Sequence, residues 1–148
     1  EHGQFSNPIV TDTASAVTLS KEKHAGKVLV VNRAAGTAVT LPASTGSGER
    51  YEIIVGTTIS SNSTTIKVAN SSDTMVGMVE TATTTGATTN GFAEAAGGTD
   101  DTITMNGTTT GGIVGSRVVV QDFAVNKWMV TGYLIGSGTL ATSLSATV

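Results

Sequence analysis

Gly26-Lys27-Val28-Leu29-Val30-Val31-Asn32-Arg33-Ala34-Ala35-Gly36-Thr37-Ala38-Val39-Thr40-Leu41-Pro42, residues 26–42, decides the fold class. A β-branched run is followed by a turn at Ala35-Gly36, then by a second β-branched run that a proline closes. β-Branched residues lose χ1 freedom in a helix and glycine costs about 1 kcal/mol there against alanine, so the stretch favours strand, turn, strand.

The rest of the chain repeats this rhythm. Thr and Ser make up about a quarter of the 148 residues and glycine adds 18 more, a mixture that suits short strands and tight turns. Besides Lys27–Asn32 and Ala38–Leu41, strands are predicted at Ala16–Leu19, Arg50–Val55, Thr64–Val68, Thr74–Glu80, Asp101–Met105, Arg117–Asp122 and Lys127–Leu134. Turn chemistry separates them: Ala25-Gly26, Thr45-Gly46-Ser47-Gly48, Ser61-Asn62-Ser63, Asn70-Ser71-Ser72-Asp73, Asn106-Gly107 and Val125-Asn126. The expectation is an all-β fold, an antiparallel β-sandwich. Only Ser15–Lys23 can hold a helical turn, with Ser20 as its cap.

Three segments depart from the rhythm. Residues 1–10 read as an extended N-terminal arm, because Pro8 keeps Asn7 out of helix and Phe5 and Ile9 are apolar pegs. Thr81–Asp100, rich in Thr, Ala and Gly with Phe92 as its only large apolar residue, reads as a long loop or excursion. Residues 136–148 read as a tail or last strand. No charge follows Lys127, which points to a packed C-terminus, either in the domain 11–148 or against another subunit.

Charge and composition narrow the function classes. Charged residues are 13% of the chain, and the net charge is -3 without a long run of either sign. Eight Lys plus Arg scattered along an acidic chain make no footprint for nucleic acid. Trp128–Ile135, the longest apolar stretch, is too short to span a bilayer, and the N-terminus has neither the basic nor the apolar region of a secretory signal, so cytoplasmic synthesis is expected. Cysteine is absent, which removes disulfides, thiolate catalysis and Cys-ligated zinc. So weakly charged a surface suits a chain partly covered by neighbouring copies or a larger assembly.

Catalytic readings find little to stand on. The two histidines are His2, in the arm, and His24, beside a turn where it is expected to bond local backbone. There is no Gly-x-Ser-x-Gly elbow, and although Asp73, Glu80, Glu94, Asp100, Asp101 and Asp122 could contain a pair of the glycosidase type, spacing alone does not show that any two of them face each other. Thr45-Gly46-Ser47-Gly48 lacks the Gly-Lys-Ser/Thr ending of a phosphate loop and precedes a strand. Asp100-Asp101 with Asn106 has oxygens for Ca²⁺ without a calcium-loop spacing, and the sequons at Asn62, Asn70 and Asn106 are what a Ser/Thr-rich chain produces by chance. No cofactor and no enzymatic activity are expected.

The run from Leu19 through His24-Ala25-Gly26-Lys27-Val28-Leu29-Val30-Val31-Asn32, Val39-Thr40-Leu41-Pro42 and Thr45-Gly46-Ser47-Gly48 to Tyr51-Glu52-Ile53-Ile54-Val55 resembles a pattern of structural proteins of tailed phages, marine and cyanobacterial ones especially. Ile66-Lys67-Val68-Ala69, Asp73-Thr74-Met75-Val76-Gly77, Asp101-Thr102-Ile103-Thr104-Met105 and Lys127-Trp128 continue it. The resemblance covers about two-thirds of the chain, leaving out the arm, Thr81–Asp100 and the tail. It implies a small sandwich or jelly-roll-like unit, commonly trimeric, of head-decoration or tail-associated proteins, and carries over no catalytic residue. On that footing the chain is expected on the outer surface of a capsid as a cement protein at junctions of the major capsid protein, with neither nucleic acid nor membrane as partner. The arm residues Phe5, Asn7, Pro8 and Ile9 would touch the shell, and Trp128, Val130, Tyr133, Leu134, Ile135 and Leu140 would build the homotrimer interface. The principal rival is a tail-fibre or spike module that binds a host glycan through the Thr81–Asp100 segment and Trp128 or Tyr133. A small hydrolase or lyase and a bacterial adhesin or surface-layer domain are further alternatives.

Overall fold

In the computed structural model, which describes residues 8–95 and 97–148, strand follows strand with one short helical interruption. In chain order they are β1 (Ile9–Asp12), β2 (Ala16–Thr18), α1 (Lys21–His24), β3 (Val28–Val31), β4 (Ala38–Thr40), β5 (Arg50–Val55) and β6 (Thr64–Lys67). Then come β7 (Thr74–Thr83), β8 (Thr89–Glu94), β9 (Thr102–Met105), β10 (Arg117–Ala124), β11 (Lys127–Gly136) and β12 (Leu144–Ser145). The fold is all-β. Each strand expected from sequence is present, most of them shifted by a residue or two at the ends.

The strands form a seven-stranded sheet in the order β1-β3-β5-β10-β11-β7-β8 and a five-stranded sheet in the order β12-β9-β6-β4-β2. Both contribute to a single apolar cluster. Leu29, Ile53, Met75, Val79, Val118, Val120, Trp128, Val130 and Leu134 come from the larger sheet, and Val39, Ile66, Ile103, Met105 and Leu144 from the smaller. Period-two alternation produces this: in β11 every even-numbered residue from Trp128 to Gly136 is buried. Trp128 packs edge-on against Tyr51, with ring centroids 5.8 Å apart.

The expectation of an antiparallel fold is corrected: the sheets are mixed. β1 pairs parallel with β3 and β3 with β5, while β2 pairs parallel with β4 and β4 with β6. Residues 9–67 therefore wind as a coil that places one strand in each sheet per turn. Ala16-Val17-Thr18 lies in register on the identical Ala38-Val39-Thr40. The connections of successive turns stack as well: the Ala34 carbonyl accepts from the Ser60 N–H at 2.8 Å, and the Ala14 carbonyl from the Thr37 hydroxyl at 2.9 Å. Gly36 lies where this stacking is tightest, with φ +81° and no room for a Cβ against the Ser63 carbonyl. The later strands close the coil: β10 pairs antiparallel with β5 and β9 with β6, and only β7 against β11 is again parallel.

Three other expectations change. Thr81–Asp100 contains the end of β7 and the strand β8, paired as a hairpin closed between Thr83 and Thr88. Thr and Asn hide a strand that has one large apolar residue, Phe92, which packs against the core. Of the arm, residues 1–7 lie outside the described residues, whereas Ile9 and Val10 belong to β1 and so to the chain's own sheet. The tail adds the two-residue strand β12, and the Asp101 carboxylate holds its end through the N–H groups of Thr147 and Val148. Ser20 precedes α1 without a side-chain cap. Its N–H instead donates to His24 Nδ1 at 3.0 Å, and burial lowers the imidazole pKa below 6.5.

Candidate functional site

What the larger sheet turns away from the core is largely apolar. Read across its registers, one outward row runs Ile9, Val28, Glu52, Val119, Thr131, Met78, Ala93, and the next Thr11, Val30, Ile54, Arg117, Tyr133, Glu80, Gly91. Met129 extends the patch beside Val76. Tyr133 is 55% exposed, Met78 46% and Met129 39%, a concentration of large apolar side chains on one regular surface. The charges among them partly cancel, since Arg117 pairs with Glu52 at 3.7 Å. A shallow groove of about 270 Å³ runs here between β7 and β11, with Met78, Met129 and Tyr133 on its walls and Glu80 at its side. Its strands lie close because residue 77 is glycine: at φ +131° a Cβ would strike the Val130 carbonyl.

The predicted interface residues divide across this sheet. Trp128, Val130 and Leu134 face inward and are almost wholly buried, Leu140, in the tail, is buried, and Ile135 is half-buried. Only Tyr133 stands fully outward. The expectation that the whole set meets another subunit is thereby corrected, because alternation commits every second side chain of β11 to the chain's own core. Met78, Met129 and Glu80 were missing from the expected site. Their signal was the same alternation, which puts Met129 and Tyr133 opposite Trp128. Of the predicted arm contacts, Phe5 and Asn7 lie outside the described residues. Pro8 accepts the Val28 N–H at 3.1 Å, and Ile9 is 67% exposed at the sheet margin.

The buried carboxylates hold the structure together. Asp122 on β10 accepts from the N–H groups of Thr45, Gly46 and Ser47 and from the hydroxyls of Ser44 and Ser47. Burial alone would raise its pKa, but these donors, led by the Thr45 and Gly46 N–H groups, bring it down to about 2. The glycine-rich loop is therefore a nest for an internal carboxylate, fastening the connection from β4 to β5 onto β10. Asp73 accepts the Ser44 N–H at 2.9 Å on the other side of the same loop. Asp100, whose pKa burial and the neighbouring Glu94 and Asp101 raise, has its N–H bonded to Glu94, and Asn106 closes its own turn through the Thr108 and Thr110 N–H groups.

Comparison with known proteins finds no match: no family model, curated protein or solved structure is similar to the chain.

Proposed function

We propose that the chain is a structural module of a virion, a capsid decoration protein that binds junctions of the major capsid protein on the outer surface of a phage head. It acts there as a homotrimer and by contact alone, without catalysis, cofactor, nucleic acid or membrane. In this reading the two sheets are the layers of a jelly-roll-like sandwich. The observation that carries it is the apolar outer face of the larger sheet, where Met78, Met129 and Tyr133 stand exposed on neighbouring strands. The resemblance of residues 19–55 to phage structural proteins supports the same reading. A shell under internal pressure fails by separation of its subunits, and a cement raises the contact area that must be broken; three linked copies turn weak contacts into strong avidity.

The test is to add the purified chain to heads that lack it, then to image the particles and measure copy number. Occupancy at capsid junctions, in numbers rivalling the major capsid protein, is expected. Absence from heads together with tens of copies on tails would overturn the reading in favour of the glycan-binding fibre module. That rival keeps one favourable observation, the exposed Tyr133 beside the Glu80 carboxylate, but loses Trp128, which is 1% exposed and closed to a sugar.

A further inference from the structure

Glu80 is the charged residue among those lining the groove between β7 and β11, and its neighbours leave it open to a partner. In register with it stand Tyr133 on β11 and Gly91 on β8. Gly91 puts no side chain over that flank of the carboxylate; the nearest atom a Cβ there would meet is the Met78 sulfur, 3.5 Å away. The ion pairs among the described residues, Lys21 with Glu49 and Arg117 with Glu52, do not include Glu80. Arg117 lies in the same outward row but on β10, beyond Tyr133, and Lys127 donates to the Thr74 hydroxyl at the far end of β7.

Charge on this side of the molecule has one sign. Between Lys67 and Arg117, a span that supplies β7, β8 and β9, the sequence holds Asp73, Glu80, Glu94, Asp100 and Asp101 and no Lys, Arg or His. The groove walls are otherwise apolar or neutral. Outward residues follow one another at about 7 Å along a strand, so Met129, Thr131 and Tyr133 on one side and Met78 and Glu80 on the other form a track that ends on an aromatic ring and a carboxylate. A carboxylate facing open water attracts a cation weakly, and side chains that cover the pair are what give it strength. Such a track suits a long basic side chain, whose methylenes need apolar cover and whose head needs an anion and a π face. Guanidinium suits it better than ammonium, being planar enough to stack on the ring while it forks onto the carboxylate, and less strongly hydrated.

We infer that this groove receives an arginine side chain of a protein partner, its stem along Met129 and Met78 and its guanidinium between the Glu80 carboxylate and the Tyr133 ring. The inference deepens the proposed function and rests on it only in taking the partner to be a protein surface. A neutral sugar on the same ring would leave Glu80 without a counter-charge.

The test is a titration of the isotope-labelled full chain, followed by NMR, with the blocked pentapeptide Ala-Val-Arg-Val-Ala and with the same peptide carrying citrulline, which keeps the shape of arginine and removes its charge. Shifts confined to β7, β8 and β11, with the arginine peptide bound about tenfold more tightly, are expected. Glu80→Gln should bring the arginine peptide down to the level of the citrulline one and leave the latter unchanged, with a spectrum as well dispersed as before; Tyr133→Leu, which keeps the wall apolar, should lose part of the preference. Equal binding of the two peptides, a preference that survives Glu80→Gln, or shifts produced by a neutral disaccharide and not by the arginine peptide overturn the inference. A chain that distinguishes the peptides but fails to bind heads leaves it standing and overturns the decoration reading instead; a chain that binds heads without distinguishing the peptides does the reverse.

Discussion

Outside the seven-stranded sheet the central row reads Val28, Glu52, Val119, Thr131, Met78 and Ala93; outside the five-stranded sheet the corresponding row reads Ser145, Thr102, Lys67, Thr40 and Thr18, and its neighbour Thr104, Thr65, Ala38 and Ala16. The inner faces of the two sheets are alike, both built of Val, Ile, Leu and Met around one core, so packing does not account for the contrast. Except at Thr102, which is buried with its hydroxyl against that of Thr147, hydroxyls and methyls of threonine make a face that water wets without any charge but Lys67. Methionine and tyrosine make one that gains free energy when covered. The two faces answer different demands, and in the proposed function only the larger sheet's involves a partner.

That comparison can be tried from the inside outward. Inner side chains should matter equally behind either face: Trp128→Ala and Ile103→Ala should each cost about 3–5 kcal/mol in denaturant unfolding, and a much smaller cost behind one face would mean that the sheets do not share a core. Next comes the fastening between the sheets. Asp122→Ala should cost about 3 kcal/mol at neutral pH, because it orphans the N–H groups of Thr45, Gly46 and Ser47. The folded carboxyl titrates near 2, below its ordinary value of 3.8, so the contribution of about 2 kcal/mol from its ionised form is present above that ordinary value and is lost as pH falls through about 2. Acid titration of both proteins checks this: their stabilities should converge towards pH 2.

Outer substitutions should then separate the faces. Met129→Glu combined with Tyr133→Glu should weaken head binding on the order of 100-fold with stability changed by under about 1 kcal/mol, whereas Thr40→Glu with Thr104→Glu should leave binding within about twofold. Equal losses from both pairs would erase the distinction. The smallest effect concerns His24, whose folded pKa lies below 6.5 through burial. The unfolded chain then binds the proton more readily, so stability declines as pH falls below 6.5, and His24→Gln should flatten that slope.

How far all this was legible in sequence follows from what alternation encodes. It says which side chains turn inward, and so it located the strands and the all-β class. It does not say in which direction the neighbouring strand runs, so a parallel coil was read as an antiparallel sandwich. One further signal was present: Ala-Val-Thr-Leu occurs at residues 16–19 and again at 38–41, and their first three positions pair in register. β1 and β8 escaped because short edge strands with few large apolar residues lack the pattern that burial imposes, while the last strand expected in the tail is the two-residue β12. The site was half legible, since alternation along β11 places Tyr133 outward, but reading the whole stretch as one apolar block merged a core with a surface.

The paired turns of the coil bear on how such a chain changes length. Because each winding contributes one strand to both sheets and stacks its connections on those of the next, a duplicated winding between β2 and β4 would lengthen the two sheets together and leave the closing strands β9 and β10 seated as before. A protein of this build can be resized to a different spacing of attachment points without redesigning its core or its margins.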